Sequence, residues 1–280
     1  MTNLLRFYFY SLFLIITFSS FAADSPKRPS TASANVHILP HKLVIPGLER
    51  ERTIRLYLPP NYDSTAQSFP VLYMHDAQNL FDDATSYAGE WKVDEILNQL
   101  TEQGTMSLIV VGIDNGEDKR MNELSPWPNE NFGEAEGKAY TDFIVKTLKP
   151  YIDANYRTLK DAEHTAIMGS SMGGLISHYA IFQYPEVFSK AGIFSPSYWY
   201  ADDVFHFTEQ HPLTNGHRLY MIVSNNEGDT MTGKLTEMET LLVKQNHKAL
   251  FAKIHGYGNH NEAYWSGEFE KAIKWLFQIE

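Results

Sequence analysis

Residues 166–174 read AIMGSSMGG, and this stretch carries the strongest evidence for the fold. Residues 169–173 match the pattern G-x-S-x-G with Ser171 at its centre. A short apolar strand, Thr165–Met168, is predicted just before the pattern, and a helix, Gly174–Phe182, just after it. Ser171 would then lie on a sharp strand-to-helix turn, where glycines let the strand and the helix approach closely. This context favours a nucleophile elbow over a purely structural glycine-rich turn.

Predicted strands and helices alternate on both sides of this turn. The strands are Thr53–Leu58, Pro70–His75, Ser107–Ile113, Ala191–Phe194, Leu219–Val223 and Leu250–Ile254, and the helices are Trp91–Leu100, Gly137–Ile152, Leu235–Gln245 and Glu268–Phe277. The runs PVLYMH (70–75) and SLIVVGI (107–113) are almost continuously apolar, which is typical of parallel strands buried on both faces. The alternation predicts an α/β fold with a mainly parallel central sheet and helices on both faces.

The composition restricts the class of protein. A chain of 280 residues is long enough for one large α/β domain, and we expect a single domain over residues 40–280. There are 23 Lys and Arg against 34 Asp and Glu, a formal net charge of −11. Because phosphate groups are bound by clustered Lys and Arg, this balance argues against nucleic acid or an anionic membrane as the partner. The absence of cysteine excludes disulfides, Cys nucleophiles and thiolate metal sites.

Residues 1–22 have the pattern of a secretory signal peptide. Arg6 supplies a positive charge, residues 7–18 are an almost unbroken apolar run, and Ser20 and Ala22 place small side chains at the two cleavage-determining positions. This run is shorter than the ~20 residues that a spanning helix needs, which favours cleavage over an uncleaved anchor. We expect export to the periplasm or the medium, without stable membrane insertion after cleavage. Residues 23–39, rich in Ser, Pro, Ala and Thr, are predicted to be a flexible mature N-terminus.

A serine nucleophile needs a general base, and in a doubly wound hydrolase the acid and the histidine follow the serine along the chain. His260 lies in a Gly- and Asn-rich loop, Ile254–Trp265, after the last predicted strand, where an imidazole could reach the elbow. His255 adjoins that strand and is better interpreted as a packed or surface residue. The sequence shows no metal-ligand motif, and we expect no cofactor.

The acid is expected in the loop after the strand Leu219–Val223. Glu227 and Asp229 both lie there, and either carboxylate could orient an imidazole. Asp229 is closer to the next helix and better placed to cap it, so Glu227 is the preferred candidate. A dyad without an acid remains an alternative.

An oxyanion hole needs two backbone N–H groups that point at the developing negative charge. One is expected from Met172, the residue after the nucleophile. The other is expected from the loop after the strand Pro70–His75, where Gln78 is the first candidate and Ala77 the second.

Six segments together resemble the group of α/β-hydrolases called Putative esterase. They are YMHDAQNLFDD (73–83), EWKVDEIL (90–97), VVGIDNGEDKRMNEL (110–124), GSSMGG (169–174), YPEVFSKAGIFSPSYW (184–199) and HNEAYW (260–265). The group includes enterochelin and related siderophore esterases, esterase D, feruloyl and acetyl-xylan esterases, and mycolyltransferases. The resemblance covers roughly residues 40–278 and implies the α/β-hydrolase fold.

The resemblance also implies an activity, a serine carboxylic ester hydrolase that forms an acyl-enzyme on Ser171. His260 corresponds to the base of this group, and Glu227 stands at the place of its acid. Gln78 and Met172 correspond to its oxyanion donors. The implied substrate is a small-molecule ester, such as a catecholate siderophore ester or a feruloyl or acetyl sugar ester. A transacylase with the same site, or a non-catalytic binding protein on this scaffold, are the alternatives.

Aromatic residues cluster in the two longest predicted loops. Trp127 lies in one loop, and Tyr198 and Trp199 lie in the other. Both loops leave the carboxyl edge of the predicted sheet, where ligands bind in such folds. These three side chains are therefore predicted to bind an aromatic acyl group or a sugar, the alternative being that the rings only pack the loops down.

Overall fold

The computed structural model describes residues 28–214 and 216–279. The predicted signal peptide, residues 1–22, lies outside these residues and stays a prediction. Among the residues described, the helices are all too short or too polar to cross a membrane.

The strands of the described residues are β1 (Val36–Ile38), β2 (Leu43–Ile45), β3 (Arg50–Arg52), β4 (Ile54–Tyr57), β5 (Val71–His75), β6 (Ile109–Ile113), β7 (Thr165–Ser170), β8 (Lys190–Phe194), β9 (Arg218–Ser224) and β10 (Leu250–His255). Eight of them form a central sheet in the order β1-β4-β6-β5-β7-β8-β9-β10. β4 pairs antiparallel with β1 and β6, and the other neighbours in the sheet are parallel. β2 and β3 form a separate antiparallel pair. The predicted mainly parallel sheet is confirmed.

Helices cover both faces of this sheet. They are α1 (Val93–Glu102), α2 (Arg120–Glu123), α3 (Gly137–Phe143), α4 (Lys149–Asn155), α5 (Met172–Gln183), α6 (Asp203–Gln210), α7 (Asp229–Lys244) and α8 (Glu262–Phe277), with a π-helical turn, Ile144–Leu148, joining α3 to α4. On β5, Val71 and Tyr73 join the core formed with α3, α4, α5 and α7. Leu72 and Met74 join the opposite core, formed with α1 and α8. Because successive side chains point to opposite faces and both faces are buried, the strand is apolar throughout.

The prediction of a flexible segment over residues 23–39 is wrong for its described part. Val36–Ile38 form the edge strand β1, paired with β4. The Ser33 N–H donates to the buried carboxylate of Asp94 on α1 over 2.7 Å, and the Thr31 N–H donates to Asp82 over 3.1 Å. Hydrogen bonds to acceptors far along the chain hold this segment, and its polar composition carries no sign of them.

Candidate active site

Ser171 occupies the turn between β7 and α5 in a conformation that few non-glycine residues adopt, with φ 57° and ψ −121°. Its N–H donates to the carbonyl of Phe194 over 2.9 Å, which fixes the turn against β8. Glycines are required around it. A Cβ on Gly169 would lie 2.7 Å from the backbone of Gly173, and a Cβ on Gly174 would lie 2.9 Å from the Phe194 carbonyl oxygen. The strained turn therefore presents the Ser171 side chain at the carboxyl edge of the sheet.

Glu227 and His260 form a close pair at the same edge. His260 Nδ1 lies 2.6 Å from Glu227 Oε2. The Glu227 side chain is only 1% exposed, whereas that of His260 is 40% exposed. Since an ionised carboxylate can only accept, Nδ1 carries the proton and Nε2 is left as a proton acceptor. This is the tautomer that a general base needs.

Ser171 and His260 line one cavity of about 320 Å³. Its wall also includes Asp76, Asn79, Tyr87, Asn115, Arg120, Glu262 and Trp265. Among the described residues, no hydrogen bond joins the two side chains, and Ser171 Oγ lies 3.2 Å from the hydroxyl of the buried Ser197. A nucleophile–base contact often tightens only in the complex with substrate. Ser197 was missed by the sequence analysis, although it follows β8 at the carboxyl edge where ligands bind.

The turn after β9 explains why Glu227 reaches His260 and Asp229 does not. Asn225–Glu227 form one 3₁₀ turn with Ser224 as its N-cap, and the Ser224 N–H donates to Glu227 Oε1 over 2.8 Å. The Glu227 carboxylate thus closes a capping box, which holds it at the end of β9. Asp229 is exposed and begins α7. The structure brings Glu227, and not Asp229, to the imidazole.

The loop after β5 is held by charged and amide side chains. Asp76 has φ 56°, and its carboxylate accepts from Arg120 Nε over 2.6 Å and Nη2 over 2.9 Å. Asn115 Nδ2 donates to the same carboxylate over 2.8 Å. Burial would raise the pKa of Asp76, but the Arg120 guanidinium and the hydrogen bonds lower it on balance. Glu123, three residues from Arg120 along the chain, binds Arg52 instead.

Gln78, one predicted oxyanion donor, lies in this loop. Met172, the other, directly follows Ser171 in the elbow. The Gln78 side chain accepts from the Asn115 N–H over 2.9 Å, which fixes the loop. Within residues 28–214 and 216–279, the backbone N–H groups of Gln78 and Met172 donate to no protein acceptor. Met172 is the first residue of α5, where such a group has no partner within the helix. Ala77, the second candidate, is completely buried.

The aromatic residues predicted to bind substrate do not line this cavity. Tyr198 is fully buried and hydrogen-bonded to His178 Nδ1 over 2.8 Å, so its predicted role is corrected to core packing. Trp127 packs edge-on against Phe207 with 5.7 Å between ring centroids. Trp199 is 44% exposed on the surface. Substrate binding by Trp127 and Trp199 stays a prediction, since both lie outside the cavity wall.

A family model named Esterase, described as "Putative esterase", matches residues 45–276. The chain belongs to this family. The resemblance drawn from the sequence is confirmed, and membership of the Esterase family supports carboxylic ester hydrolysis as the reaction class of the protein.

The chain is also similar to individual proteins of known sequence or structure. The chain is 28% identical to the uncharacterized protein YbbA of Bacillus subtilis over 244 residues, which is 81% of this chain and 92% of YbbA. An IroE-like serine hydrolase from Shewanella oneidensis has a TM-score of 0.68 at 21% identity, covering 87% of this chain and 79% of that chain. The enterobactin esterase FES from Shigella flexneri has a TM-score of 0.70 at 19% identity, covering 91% of this chain and 60% of FES. The two structures are similar in fold, and the predicted α/β-hydrolase fold is confirmed.

Proposed function

We propose that the protein is a serine carboxylic ester hydrolase that acts through an acyl-enzyme on Ser171. The observation that carries the proposal is the 2.6 Å contact between Glu227 and His260 Nδ1, beside a serine in a strained elbow. In this mechanism Ser171 Oγ attacks the ester carbonyl carbon while His260 Nε2 takes its proton. Glu227 keeps the imidazole in the required tautomer and stabilises the imidazolium.

The remaining steps use the same groups. The N–H groups of Gln78 and Met172 stabilise the oxyanion of the tetrahedral intermediate. When the intermediate collapses, the ester C–O bond breaks and the His260 imidazolium gives its proton to the leaving alcohol. A water molecule then attacks the acyl-enzyme with His260 again as base, and this releases the acid and restores Ser171.

We expect Ser171→Ala to lower hydrolysis of a simple ester by about 10⁴- to 10⁶-fold without loss of folding, because the acyl-enzyme cannot form. Ser170→Ala is the matched control, since Ser170 is adjacent in sequence and lines the same cavity. Turnover of 4-nitrophenyl acetate and covalent labelling by a fluorophosphonate would measure both variants. Equal losses in the two variants, or labelling of the Ser171→Ala protein, would contradict the proposal.

The substrate that we propose is a catecholate siderophore ester or a feruloyl or acetyl sugar ester. Supporting it are the family resemblance and the fold shared with FES, an enterobactin esterase. The cavity wall carries Arg120, Asp76 and Glu262, which suits an acyl or alcohol group with several polar atoms. Comparing kcat/KM for catecholate, feruloyl, acetyl sugar and simple alkyl esters tests this choice, and a preference for the alkyl esters would contradict it.

We also propose that residues 1–22 direct export to the periplasm or the medium and are then removed. The proposal rests on the basic, apolar and small-residue regions of this segment. Mass spectrometry of the protein recovered from the periplasm and from the medium tests it. Recovery only from the cytoplasm, with residues 1–22 present, would contradict it.

A further inference from the structure

Ser195, the residue directly after β8, lies between the side chains of Glu227 and Trp265. Its hydroxyl is 2.8 Å from Glu227 Oε1 and 2.9 Å from Trp265 Nε1. Ser195 is completely buried, and its φ of 42° lies in the left-handed region that favours glycine. Such a backbone conformation persists only where the surrounding contacts hold it in place.

The direction of both hydrogen bonds follows from the chemistry of the groups. An indole N–H can only donate, and an ionised carboxylate can only accept. The Ser195 hydroxyl must therefore accept from Trp265 and donate to Glu227. Trp265 also packs edge-on against the His260 ring, with 5.1 Å between the centroids, so one side chain touches both the base and the serine behind its acid.

The two oxygens of the Glu227 carboxylate have different partners. Oε1 accepts from the Ser195 hydroxyl and from the Ser224 N–H, each over 2.8 Å. Oε2 faces His260 Nδ1. Two donors on Oε1 restrict rotation of the carboxylate about its last bond, and this keeps Oε2 directed at the imidazole.

We propose that Ser195, oriented by Trp265, is a positioning residue that holds the Glu227 carboxylate in the rotamer that reaches His260. The inference rests on the proposed function, because Ser195 acts only through Glu227 and His260. Without its hydroxyl, the carboxylate is held by one donor from the main chain and turns more freely. The contact with His260 is then lost for part of the time, while the substrate cavity keeps its wall.

We expect Ser195→Ala to lower kcat by about 10- to 100-fold, the range for a lost hydrogen bond to a charged group, and to change KM by less than about twofold. The downfield proton NMR signal of His260 Nδ1–H should shift or broaden in the same variant. The matched control is Ser189→Ala at the other end of β8, where the buried serine accepts from Lys190. This control should keep the wild-type kcat, KM and signal.

A double-mutant cycle separates positioning from packing. Trp265→Phe keeps a ring against His260 but removes the donor to Ser195, so kcat should fall about threefold or more. In the Ser195→Ala background the same change should cost less than about 1.5-fold, because the chain of hydrogen bonds is already broken. If Ser195→Ala does not fold, Trp265→Phe with the NMR signal of His260 still tests the inference.

Wild-type kcat in Ser195→Ala, or losses that multiply in the double variant, would overturn the inference. The proposed function has its own readout. If Ser171→Ala still hydrolyses esters at the wild-type rate, the proposed function fails, and Ser195 has no acid and base to position. If Ser171→Ala is inactive while Ser195→Ala has the wild-type kcat, only the role of Ser195 fails.

Discussion

Two carboxylates two residues apart in the loop after β9 have different surroundings. The Glu227 side chain is almost fully buried and accepts three hydrogen bonds, from Ser195, Ser224 and His260. Asp229 is exposed in the first turn of α7, where a negative charge favours the helix dipole. Burial with a complete set of donors is what an orienting acid requires, so the two residues should respond differently to loss of charge.

We expect Glu227→Gln to lower turnover by up to ~10⁴-fold, because an amide can donate to Nδ1 and so favour the wrong imidazole tautomer. Asp229→Asn should leave turnover unchanged and cost at most about 1 kcal/mol of stability, since only a charge near the helix N-terminus is lost. Ester hydrolysis and urea denaturation of both variants measure these effects. The reverse ranking in turnover would give the acid role to Asp229, and no loss in either variant would leave a Ser171–His260 dyad.

Among the elements, β1 and the polar residues before it show how the rest of the fold holds a short segment. β1 covers the edge of β4, and the residues before it bond to the loop at Asp82 and to Asp94 on α1. Asn35 adds contacts from its amide to Leu58 and Asn98. Because β1 has only three residues, it offers a short edge for pairing with other chains.

We expect a protein that begins at residue 40 to have a free energy of unfolding about 2–5 kcal/mol lower than a protein that begins at residue 28. The shorter protein lacks several hydrogen bonds worth about 1 kcal/mol each. The exposed edge of β4 should also promote aggregation. Urea denaturation of the two truncated proteins measures the difference. Equal midpoints with equal slopes would mean that β1 contributes nothing to stability.

Across the whole molecule, two buried histidines connect stability to pH. Burial lowers the pKa of His178 to about 3 and that of His75 to about 4. The hydrogen bonds around His178 favour its neutral form. Thr208 donates its own proton to Val204, so it accepts from His178 Nε2, and Nδ1 accepts from the Tyr198 hydroxyl. A second proton, on Nδ1, would take away the acceptor of the Tyr198 hydroxyl proton.

Stability should therefore fall as the pH drops below about 6.5. The unfolded chain binds a proton at each histidine near pH 6.5, whereas the native protein does not until pH 4 or below, so acid favours unfolding. Each of the two residues should contribute up to about 1.4 kcal/mol per pH unit. The free energy of unfolding in urea, measured between about pH 7 and pH 5, gives this slope.

His178→Gln should make the slope shallower by about 1.4 kcal/mol per pH unit, because one titrating group is removed. The control is His206→Gln, since His206 is exposed on α6 and its replacement should leave the slope unchanged. An identical slope in His178→Gln and the wild type would show that this histidine is not kept neutral by the fold.

Local patterns in the sequence were enough to predict the parallel sheet, the turn at Ser171 and the family. A buried parallel strand must be apolar on both faces, and a strand-to-helix turn as sharp as this one needs glycines at fixed positions. Each feature therefore produces a recognisable pattern within a few residues of sequence. The family model matches residues 45–276, a range that contains all six segments that resemble the family.

Features made by residues far apart in the chain came only from the tertiary structure. The segment before β1 has the composition of a loop, yet acceptors on α1 and after β5 order it. The sequence places Tyr198 in a predicted binding loop, yet its ring packs in the core beside His178. The direction of a side chain depends on which elements meet around it, and composition does not record that. The sequence favoured Glu227 over Asp229 as the acid, but the contacts of its carboxylate with Ser195 and His260 depend on how the turn after β9 packs against the residues that follow β8 and precede α8.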